Sequence, residues 1–261
     1  MGVVLTILGS GSAGNSALLE TPTVRVLVDA GLSARQLTER LASVGPTPEQ
    51  LDAIVLTHEH SDHTQALTVF CRRYSIPIFA NRLTADEVTR NLPAKYNAWK
   101  IFETGQTFEL GDLRVESFTI PHDAQDPVGF VFRSNGSSVG FLTDLGHATR
   151  VVADRVKNVD VLVLESNHDL KLLRDDPHRP WALKQRIASR HGHLSNDAAA
   201  KLATDVVSDK TKRLYLAHLS RDCNRPELAK NCALSALNAL GARHVEVEVA
   251  SQDKVMAAFS L

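Results

Sequence analysis

The chain has 261 residues, of which 43% are hydrophobic and 23% are charged, which is enough for one large globular domain or at most two small ones. The same composition excludes an intrinsically disordered chain, a collagen and a coiled coil. The longest apolar runs are strand-sized and do not approach the ~18 residues of a membrane helix. With 29 basic and 30 acidic residues the net charge is −1, so binding to a polyanion would need a local basic patch.

The cysteines and the first residues both bear on the cellular compartment. Three cysteines, Cys71, Cys223 and Cys232, favour free thiols over a disulfide framework, which agrees with a reducing compartment. No lysine or arginine precedes the first apolar stretch, so a cleaved secretory signal is not expected. We therefore expect a cytoplasmic protein with no membrane partner.

The amino-terminal part predicts short strands bounded by glycine or proline, at 3–8, 16–19, 24–28 and 53–57. A helix is predicted between the last two of these strands. Its N-cap would be Ser33 and its end Gly45, and its apolar face repeats at Leu37, Leu41 and Val44. The elements predicted next are a helix near 62–73, a strand at 76–80 and a helix capped by Thr84.

The middle of the chain predicts a strand meander at 108–110, 113–120, 128–133 and 139–143, with turns at Gly111 and Asn135-Gly136. The carboxyl-terminal part returns to alternation, with helices at 148–156, 196–207 and 226–240 and strands at 161–165, 213–217 and 245–249. A basic, irregular stretch is expected between 165 and 196. Strand-rich halves flanked by helices predict two packed sheets with helices outside, in a single domain over 1–261.

The strongest chemical signal is His-Glu-His-Ser-Asp-His at 58–63, directly after an apolar strand. Imidazole and carboxylate groups at a buried strand end are costly unless they are paired or bind metal, and neutral histidine with aspartate suits Zn, Mn or Fe. His58 and His60 can point to one ion. Asp62 and His63, at the start of the next helix, can point to a second, so the motif predicts a pair of metal ions.

Three further candidate ligands each follow an apolar strand, as the motif does: His122, Asp144 and His218. If the strands are aligned, all of them converge on one edge of the sheets. For a single histidine, a hydrogen-bonded turn residue is the ordinary explanation. The recurrence of such residues at several strand ends favours metal ligation instead.

Taken together, these residues resemble the metallo-β-lactamase fold, an α/β family whose αββα four-layer sandwich carries its site at one edge. The resemblance implies two metal sites that share one carboxylate. One would be held by His58, His60 and His122, the other by Asp62, His63 and His218, with Asp144 bridging the two. It also implies that Asp29 is a buried structural carboxylate that accepts hydrogen bonds from the ligand loops.

Several further segments resemble the YycJ (WalJ) branch of that family, whose members look like metal-dependent exonucleases on double-stranded DNA. These segments are GSGSAGNS, VDAGLS, THEHSDH, PHDAQDPVGF, TDLGH, ESNHD, GHLSNDAA and HLSRDCNRPELA. The resemblance implies a hydrolase of phosphodiester bonds, an exodeoxyribonuclease, with duplex DNA as its partner. Its cofactors would be two divalent metal ions, Mn or Zn in preference to Fe.

In such a site a water bridging the two metals would lose its proton and attack the phosphorus, and Asp62 would orient that water. The leaving oxygen also needs a proton. Glu165 and His193 resemble the glutamate and histidine of tRNA-processing members of the fold, and the pair would act as a general acid. The alternative for His193 is a helix-terminal residue beside the N-cap Ser195.

One basic cluster lies between 171 and 190, where two aspartates oppose six basic residues: Lys171, Arg174, Arg179, Lys184, Arg186 and Arg190. Lys184, Arg186 and Arg190 are predicted to bind substrate, because a basic border of the site would neutralise backbone phosphates. A solvated helix face is the alternative. His168 would line the substrate groove or cap a loop. The other histidines are expected to be surface or packing residues: His147, His178, His191 and His244.

The main alternative function is a metallohydrolase of a small molecule, such as a thioester, lactone or cyclic phosphodiester, that uses the same ligands. An open basic channel would favour a polymer, and a closed apolar pocket a small molecule. The glycines at 9–14 also fit a dinucleotide-binding fingerprint, but the following residues predict a hairpin where that fingerprint needs a helix. Redox diiron members of the family differ in carrying glutamate where this chain has His60.

Overall fold

Fourteen strands form two seven-stranded β-sheets in the part of the chain that the computed structural model describes, residues 2–90, 92 and 98–261. In chain order the strands are β1 (Val4–Gly9), β2 (Ser16–Glu20), β3 (Arg25–Val28), β4 (Ala53–Val55), β5 (Ile78–Asn81), β6 (Trp99–Phe102), β7 (Thr107–Leu110), β8 (Leu113–Thr119), β9 (Val128–Ser134), β10 (Ser137–Leu142), β11 (Val161–Glu165), β12 (Arg213–Ala217), β13 (Glu246–Val249) and β14 (Phe259–Ser260).

Each sheet has an antiparallel and a parallel half. The strand order is β14-β1-β2-β3-β4-β5-β6 in the first sheet and β13-β12-β11-β10-β9-β8-β7 in the second. Strands β3 to β6 are mutually parallel, as are β10 to β13. Within the second sheet, Leu142 is level with Leu164 and Leu164 with Leu216. The carboxyl ends of these strands therefore meet at one edge, where ligands bind in open sheets of this kind.

The helices are α1 (Ala34–Val44), α2 (Ser61–Thr64), α3 (Leu67–Arg73), α4 (Arg82–Thr89), α5 (Arg150–Val156), α6 (Leu170–Asp175), α7 (Trp181–Ile187), α8 (Asn196–Val206) and α9 (Pro226–Leu240). The predicted signals set the ends of α1, because Ser33 accepts a hydrogen bond from the Gln36 N–H and Gly45 ends the helix at φ 123°. Among the described residues, every helix falls short of the length and apolar character that a membrane crossing demands.

Apolar side chains from the facing surfaces of the two sheets form the central core, with Val28 on the first sheet and Phe130 on the second. Leu37 of α1 belongs to the core on the outer face of the first sheet. Leu202 of α8 and Leu237 of α9 belong to the core on the outer face of the second. The order helix, sheet, sheet, helix confirms the predicted four-layer sandwich.

Two helix predictions in the first half of the chain were wrong. The helix expected over 62–73 is divided into α2 and α3, because the Ala66 N–H donates to the carbonyl of Ala30 in another loop. The cap of α4 is Asn81, whose side chain accepts a hydrogen bond from the Thr84 N–H at 2.9 Å. Thr84 itself lies inside the helix. The same side-chain oxygen explains why the helix begins earlier than predicted.

Within the described residues, two short strands and two short α-helices were not predicted. Strands β6 and β14 lie at the two edges of the first sheet, and β14 has only two residues. The stretch expected to be irregular contains α6 and α7. Helix α7 has no buried residue, so its sequence lacks the apolar periodicity that reveals a helix packed on a core.

Candidate metal centre

Polar residues that end or follow the strands converge at one edge of the two sheets. They are Asp29 after β3, His58 after β4, His122 after β8, Asp144 after β10, Glu165 at the end of β11 and His218 after β12. Both sheets thus contribute to the surroundings of one cleft of about 280 Å³. This is the convergence that the strand ends predict.

His58, His60 and His122 bring three ring nitrogens together. His60 Nδ1 lies 3.0 Å from His58 Nε2 and 3.4 Å from His122 Nε2. His122 Nδ1 donates to the carbonyl of Gly192 at 3.0 Å, which leaves the lone pair on Nε2, the atom that faces the cluster. Converging imidazole nitrogens in a largely buried site are a ligand set for a divalent metal ion.

Asp62, His63, Asp144 and His218 form a second cluster. His63 Nε2 is 3.0 Å from Asp144 Oδ2, and His218 Nε2 is 3.5 Å from Asp62 Oδ2. Asp144 Oδ1 lies 3.7 Å from His122 Nε2, so one carboxylate faces both clusters. These contacts do not have hydrogen-bond geometry, so buried Asp144 Oδ2 and His218 Nε2 have no hydrogen-bond partner among the described residues. Such atoms are costly, and a metal ion would satisfy them, so these residues fit a two-metal site.

We call residues 57–63 the ligand floor, and Asp29 is its main brace. Asp29 Oδ1 accepts a hydrogen bond from the Thr57 N–H at 2.8 Å, and Oδ2 accepts one from Thr57 Oγ1 at 2.9 Å. His63 Nδ1 donates to the same Oδ2 at 2.7 Å, which leaves His63 Nε2 for the second cluster. Asp29 is fully buried and accepts hydrogen bonds from the ligand loop, as the resemblance implies.

The glycine-containing loop before β2 supplies a second brace, Asn15, which sequence reasoning missed. The Asn15 N–H donates to the carbonyl of Asp62 at 2.8 Å, and its side-chain nitrogen lies 3.2 Å from His63 Nε2. Gly31 also packs here, since a Cβ on it would lie 1.6 Å from the Asp62 carbonyl oxygen. The loop leads into a strand, so the dinucleotide interpretation lacks its helix, and only the motif GSGSAGN could have signalled Asn15.

Glu165 is shared by two histidines. Its Oε1 accepts hydrogen bonds from His193 Nδ1 and His218 Nδ1, each at 2.8 Å. Its Oε2 accepts from the N–H groups of Leu145 and Leu194, each at 2.9 Å. Burial raises the pKa of Glu165, but His193 and His218 outweigh burial and lower it to about 2, so the carboxylate stays ionised. Glu165 and His193 are thus in the contact that the predicted general acid requires.

The carboxylates raise the pKa values of three histidines of the site, His63, His193 and His218. Burial alone would lower the pKa of His63 and of His218, but the neighbouring carboxylates, Asp144 first among them, raise both pKa values well above the ordinary one. Burial also lowers the pKa of His193, but the effect of Glu165 is the main one that outweighs burial, so this pKa is raised overall. A metal ion that binds the second cluster would therefore displace protons.

Three residues of the site hold a left-handed backbone conformation: Asp29 at φ 59°, Asp144 at φ 55° and His218 at φ 54°. This conformation is uncommon for residues other than glycine and costs ~1–3 kcal/mol each. Surrounding hydrogen bonds maintain it at His218, whose N–H donates to Ser10 Oγ at 2.8 Å and whose carbonyl accepts from Asn167 at 2.9 Å. Strain of this kind concentrates at functional sites.

Residues 183–191, which we call the cleft rim, form one side of the cleft and contribute Leu183, Arg186, Ile187 and His191 to its lining. Arg186 Nε donates to Asp123 Oδ2 at 2.8 Å, beside the first metal cluster. Of the basic residues predicted to bind substrate, the structure brings Arg186 to the cleft. His191, expected as a surface or packing residue, is exposed and borders the cleft as well.

The other residues predicted to contact substrate, Lys184, Arg190 and His168, do not line the cleft. Lys184 Nζ donates to the carbonyl of Arg174 at 2.7 Å, because the lysine reaches back to α6. Arg190 Nη2 lies 3.3 Å from His147 Nε2. His168 is only 1% exposed, and burial lowers its pKa to about 4. These three side chains lie outside the cleft lining, either bonded elsewhere or buried, and their contact with substrate stays a prediction.

The rest of the predicted basic cluster is largely neutralised by carboxylates. Arg174 pairs with Asp175 at 3.0 Å. Arg179 pairs with both Asp176 and Asp222. For this part of the cluster, the structure favours the solvated-face alternative over a phosphate-binding border.

Comparison with known proteins identifies the family of this chain. Residues 24–219 match the family model described as Beta-lactamase superfamily domain. The chain is 43% identical over 232 residues to Exodeoxyribonuclease WalJ of Streptococcus pneumoniae serotype 2, covering 88% of this chain and 86% of the relative. It is 37% identical over 244 residues to Exodeoxyribonuclease YycJ of Bacillus anthracis, covering 92% and 91%. The metallo-beta-lactamase fold protein YhfI from Bacillus subtilis shares the fold at TM-score 0.75 and 18% identity, covering 98% of both chains.

The sandwich fold and the paired histidine and aspartate clusters define a metal-dependent hydrolase. The chain belongs to the Beta-lactamase superfamily and, within it, to the family of the exodeoxyribonucleases WalJ and YycJ.

Proposed function

We propose that this protein is an exonuclease that hydrolyses phosphodiester bonds of double-stranded DNA with the help of two divalent metal ions. The observation that carries the proposal is the pair of histidine and aspartate clusters that share Asp144 at one cleft. The names of relatives at 43% and 37% identity support a DNA substrate. A cytoplasmic location goes with such a substrate and stays a prediction.

Seven residues would hold the two ions, and the distances within each cluster support the assignment. His58, His60 and His122 would bind one ion, Asp62, His63 and His218 the other, and Asp144 would face both. We infer Mn or Zn in preference to Fe, because redox diiron members carry glutamate in place of His60. The affinity order of divalent metals favours Zn over Mn at such ligands.

When bound, the ions would lower the pKa of a water molecule and offset the charge that develops on the phosphoryl oxygens. Asp62 lines the cleft with 22% of its side chain exposed, and its carboxylate would orient the attacking water by accepting a hydrogen bond. Arg186 also lines the cleft. Its guanidinium would exchange the carboxylate of Asp123 for a phosphate oxygen.

His193 would donate a proton to the leaving oxygen. Its Nδ1–H is held by Glu165 at 2.8 Å, so Nε2 is the atom left to face a substrate. His193 lines the cleft with 22% of its side chain exposed. Ionised Glu165 raises the pKa of His193 and so favours the protonated imidazole that a general acid requires.

The test is digestion of duplex DNA labelled at either end by metal-stripped protein that is resupplied with Mn or Zn. Stepwise release from one end is expected from the wild type. It should be absent in His60→Ala and Asp144→Ala, which remove one residue of the first cluster and the shared carboxylate. His244→Ala is the matched control, because this exposed histidine contacts Ser208 outside the site.

Intact duplex and single strands after incubation with the metal-loaded wild type would contradict a DNA substrate. If His60→Ala and Asp144→Ala then still bind less metal than the wild type, the metal site stands and the polymer substrate is wrong. Small thioesters, lactones and cyclic phosphodiesters would be the next substrates to measure.

A further inference from the structure

The cleft rim carries two aliphatic side chains that the proposed chemistry does not use. Leu183 and Ile187 lie one helical turn apart on α7, so they share one face of the helix, and both line the cleft. Leu183 is 39% exposed, and no residue of α7 is buried. Neither side chain belongs to the apolar cores of the described part of the chain. An exposed aliphatic pair beside a catalytic centre indicates a binding surface.

The rest of the cleft lining is polar, apart from the backbone of Gly192. Besides the metal-cluster side chains it includes Ser12, Asp123, Arg186, His191 and His193. A group that enters the cleft must therefore present a charged part to the metal clusters and an apolar part to α7. A nucleotide has both, because its phosphate is anionic and its base has flat faces that pack on side chains.

Hydrogen bonds to backbone carbonyls hold the aliphatic pair in place relative to the reacting groups. The His193 N–H donates to the carbonyl of Ile187 at 2.8 Å, and His122 Nδ1 donates to the carbonyl of Gly192 at 3.0 Å. A Cβ on Gly192 would lie 2.1 Å from the Ile187 carbonyl oxygen, so this close contact requires glycine. The pair is thus positioned relative to a metal-cluster histidine and the proton donor, as a site for the reacting nucleotide requires.

The size of the cleft limits what this pair can contact. At about 280 Å³, the cleft is slightly smaller than the ~300–1,000 Å³ of pockets that enclose a drug-sized ligand. This space is on the scale of a single nucleotide. Enzymes that do chemistry on a base in such a pocket take the nucleotide out of the duplex stack, and a terminal base that packs on Leu183 and Ile187 would have to leave the stack in the same way.

We propose that Leu183 and Ile187 form the surface that binds the terminal nucleoside after it has separated from its complementary strand. We call this surface the nucleoside seat. The inference rests on the proposed exonuclease function, because the seated nucleoside is the one that the reaction releases. It makes unpairing of the duplex end a part of the reaction. It also makes the aliphatic pair a determinant of substrate specificity.

The first test measures binding without cleavage. Metal-loaded protein is titrated with deoxyadenosine monophosphate and with 2-deoxyribose 5-phosphate, which has the same phosphate and sugar but no base. The wild type should bind the nucleotide about tenfold more tightly. The double variant Leu183→Ala, Ile187→Ala should reduce this preference to below about twofold. Leu170→Ala is the matched control, because Leu170 is 51% exposed on α6 and outside the cleft lining.

The second test uses end-labelled duplexes whose terminal base pair is matched or mismatched. The wild type should release the first nucleotide faster from the mismatched end, because unpairing costs less free energy there. The double variant should digest both duplexes more slowly, and Leu170→Ala should follow the wild type. Equal rates on the two ends in the wild type would overturn the proposal that Leu183 and Ile187 bind the terminal nucleoside. An unchanged nucleotide preference in the double variant would overturn it as well.

The outcomes also separate the seat from the function on which it rests. If the wild type leaves both duplexes intact, the exonuclease function is wrong and the seat is wrong with it. If the wild type digests DNA but the double variant behaves like Leu170→Ala, only the seat is wrong. Metal content and melting temperature should match the wild type, because neither replaced side chain is buried. Should the double variant unfold, the single Leu183→Ala variant decides the matter by the same nucleotide preference.

Discussion

The ligand floor at 57–63 and the cleft rim at 183–191 border the same cleft, but the chain holds them in different ways. In the floor, the carbonyls of Asp62 and His63 accept hydrogen bonds from two other loops, each at 2.8 Å, and the His63 ring is fully buried. On the rim, α7 has no buried residue. The side chain of Arg186 is held there by an ion pair with an exposed aspartate.

The contrast indicates two separate tasks. Metal ligands tolerate little error in position, so they are fixed by burial and by several hydrogen bonds at once. Side chains that contact a substrate must be exposed, so that a ligand can reach them and displace the water around them. Substitutions in the floor should therefore affect metal binding and stability together, whereas substitutions on the rim should affect substrate binding alone.

The largest effect should come from removing the metal ions with a chelator. Hydrolysis should stop, and the free energy of unfolding should fall by about 2.7 kcal/mol for each bound ion, relative to protein with metal at one hundred times its Kd. Thermal unfolding and DNA digestion before and after re-addition of Mn or Zn measure both effects. An unchanged melting temperature in the stripped protein would mean that the floor does not bind the ions.

The next largest effect is expected for His193→Ala, at a residue that lies just beyond the rim and donates its N–H to the carbonyl of Ile187. Loss of the proton donor should lower kcat by a factor of about 10²–10⁴. Because the pKa of His193 is raised, the wild type should lose activity as pH rises through that pKa and the imidazole gives up its proton. This alkaline loss should be missing in the variant.

Metal content tests the role given to His193. Its ring nitrogen lies within 4.8 Å of ligand atoms from Asp144, Glu165 and His218, so a ligand role is the rival explanation. A variant that keeps two ions per chain supports the proton donor. Loss of an ion in His193→Ala would assign the residue to the metals instead.

A smaller effect is expected for Asp29→Asn, which weakens the brace under the floor. His63 Nδ1–H would lose its ionised acceptor, and metal affinity should fall by about 10–100-fold. Competition with a metal indicator measures the change. The control is Asp52→Asn, because the Asp52 carboxylate accepts a hydrogen bond from the Arg25 N–H outside the site. Equal affinities in the two variants would argue against the brace.

The smallest effect belongs to the rim. Arg186→Ala should raise the KM for duplex DNA severalfold and reduce the salt dependence of binding by about one phosphate contact. Metal content should stay the same. Arg174→Ala serves as the control, since Arg174 pairs with Asp175 and does not line the cleft. If both variants show the wild-type salt dependence, Arg186 does not contact phosphate.

Most of the fold could be predicted because its signals are local. The cap Ser33, the periodic leucines of α1 and Gly45 lie within a few turns of one another, and the meander carries its own glycine turns. Elements whose existence depends on distant partners were missed or misplaced. β14 needs β1 to pair with, and the break after α2 depends on the carbonyl of Ala30.

The sequence by itself determined the ligand chemistry of the site, because the motif at 58–63 is contiguous and each further candidate follows a strand. Only the tertiary structure decided which partners these groups share. Glu165 joins His193 and His218, 28 and 53 positions away, and Arg186 meets an aspartate 63 positions away. A hydrogen bond acts over about 3 Å. Such distances between remote residues arise only when the two sheets pack and bring their strand ends to one edge.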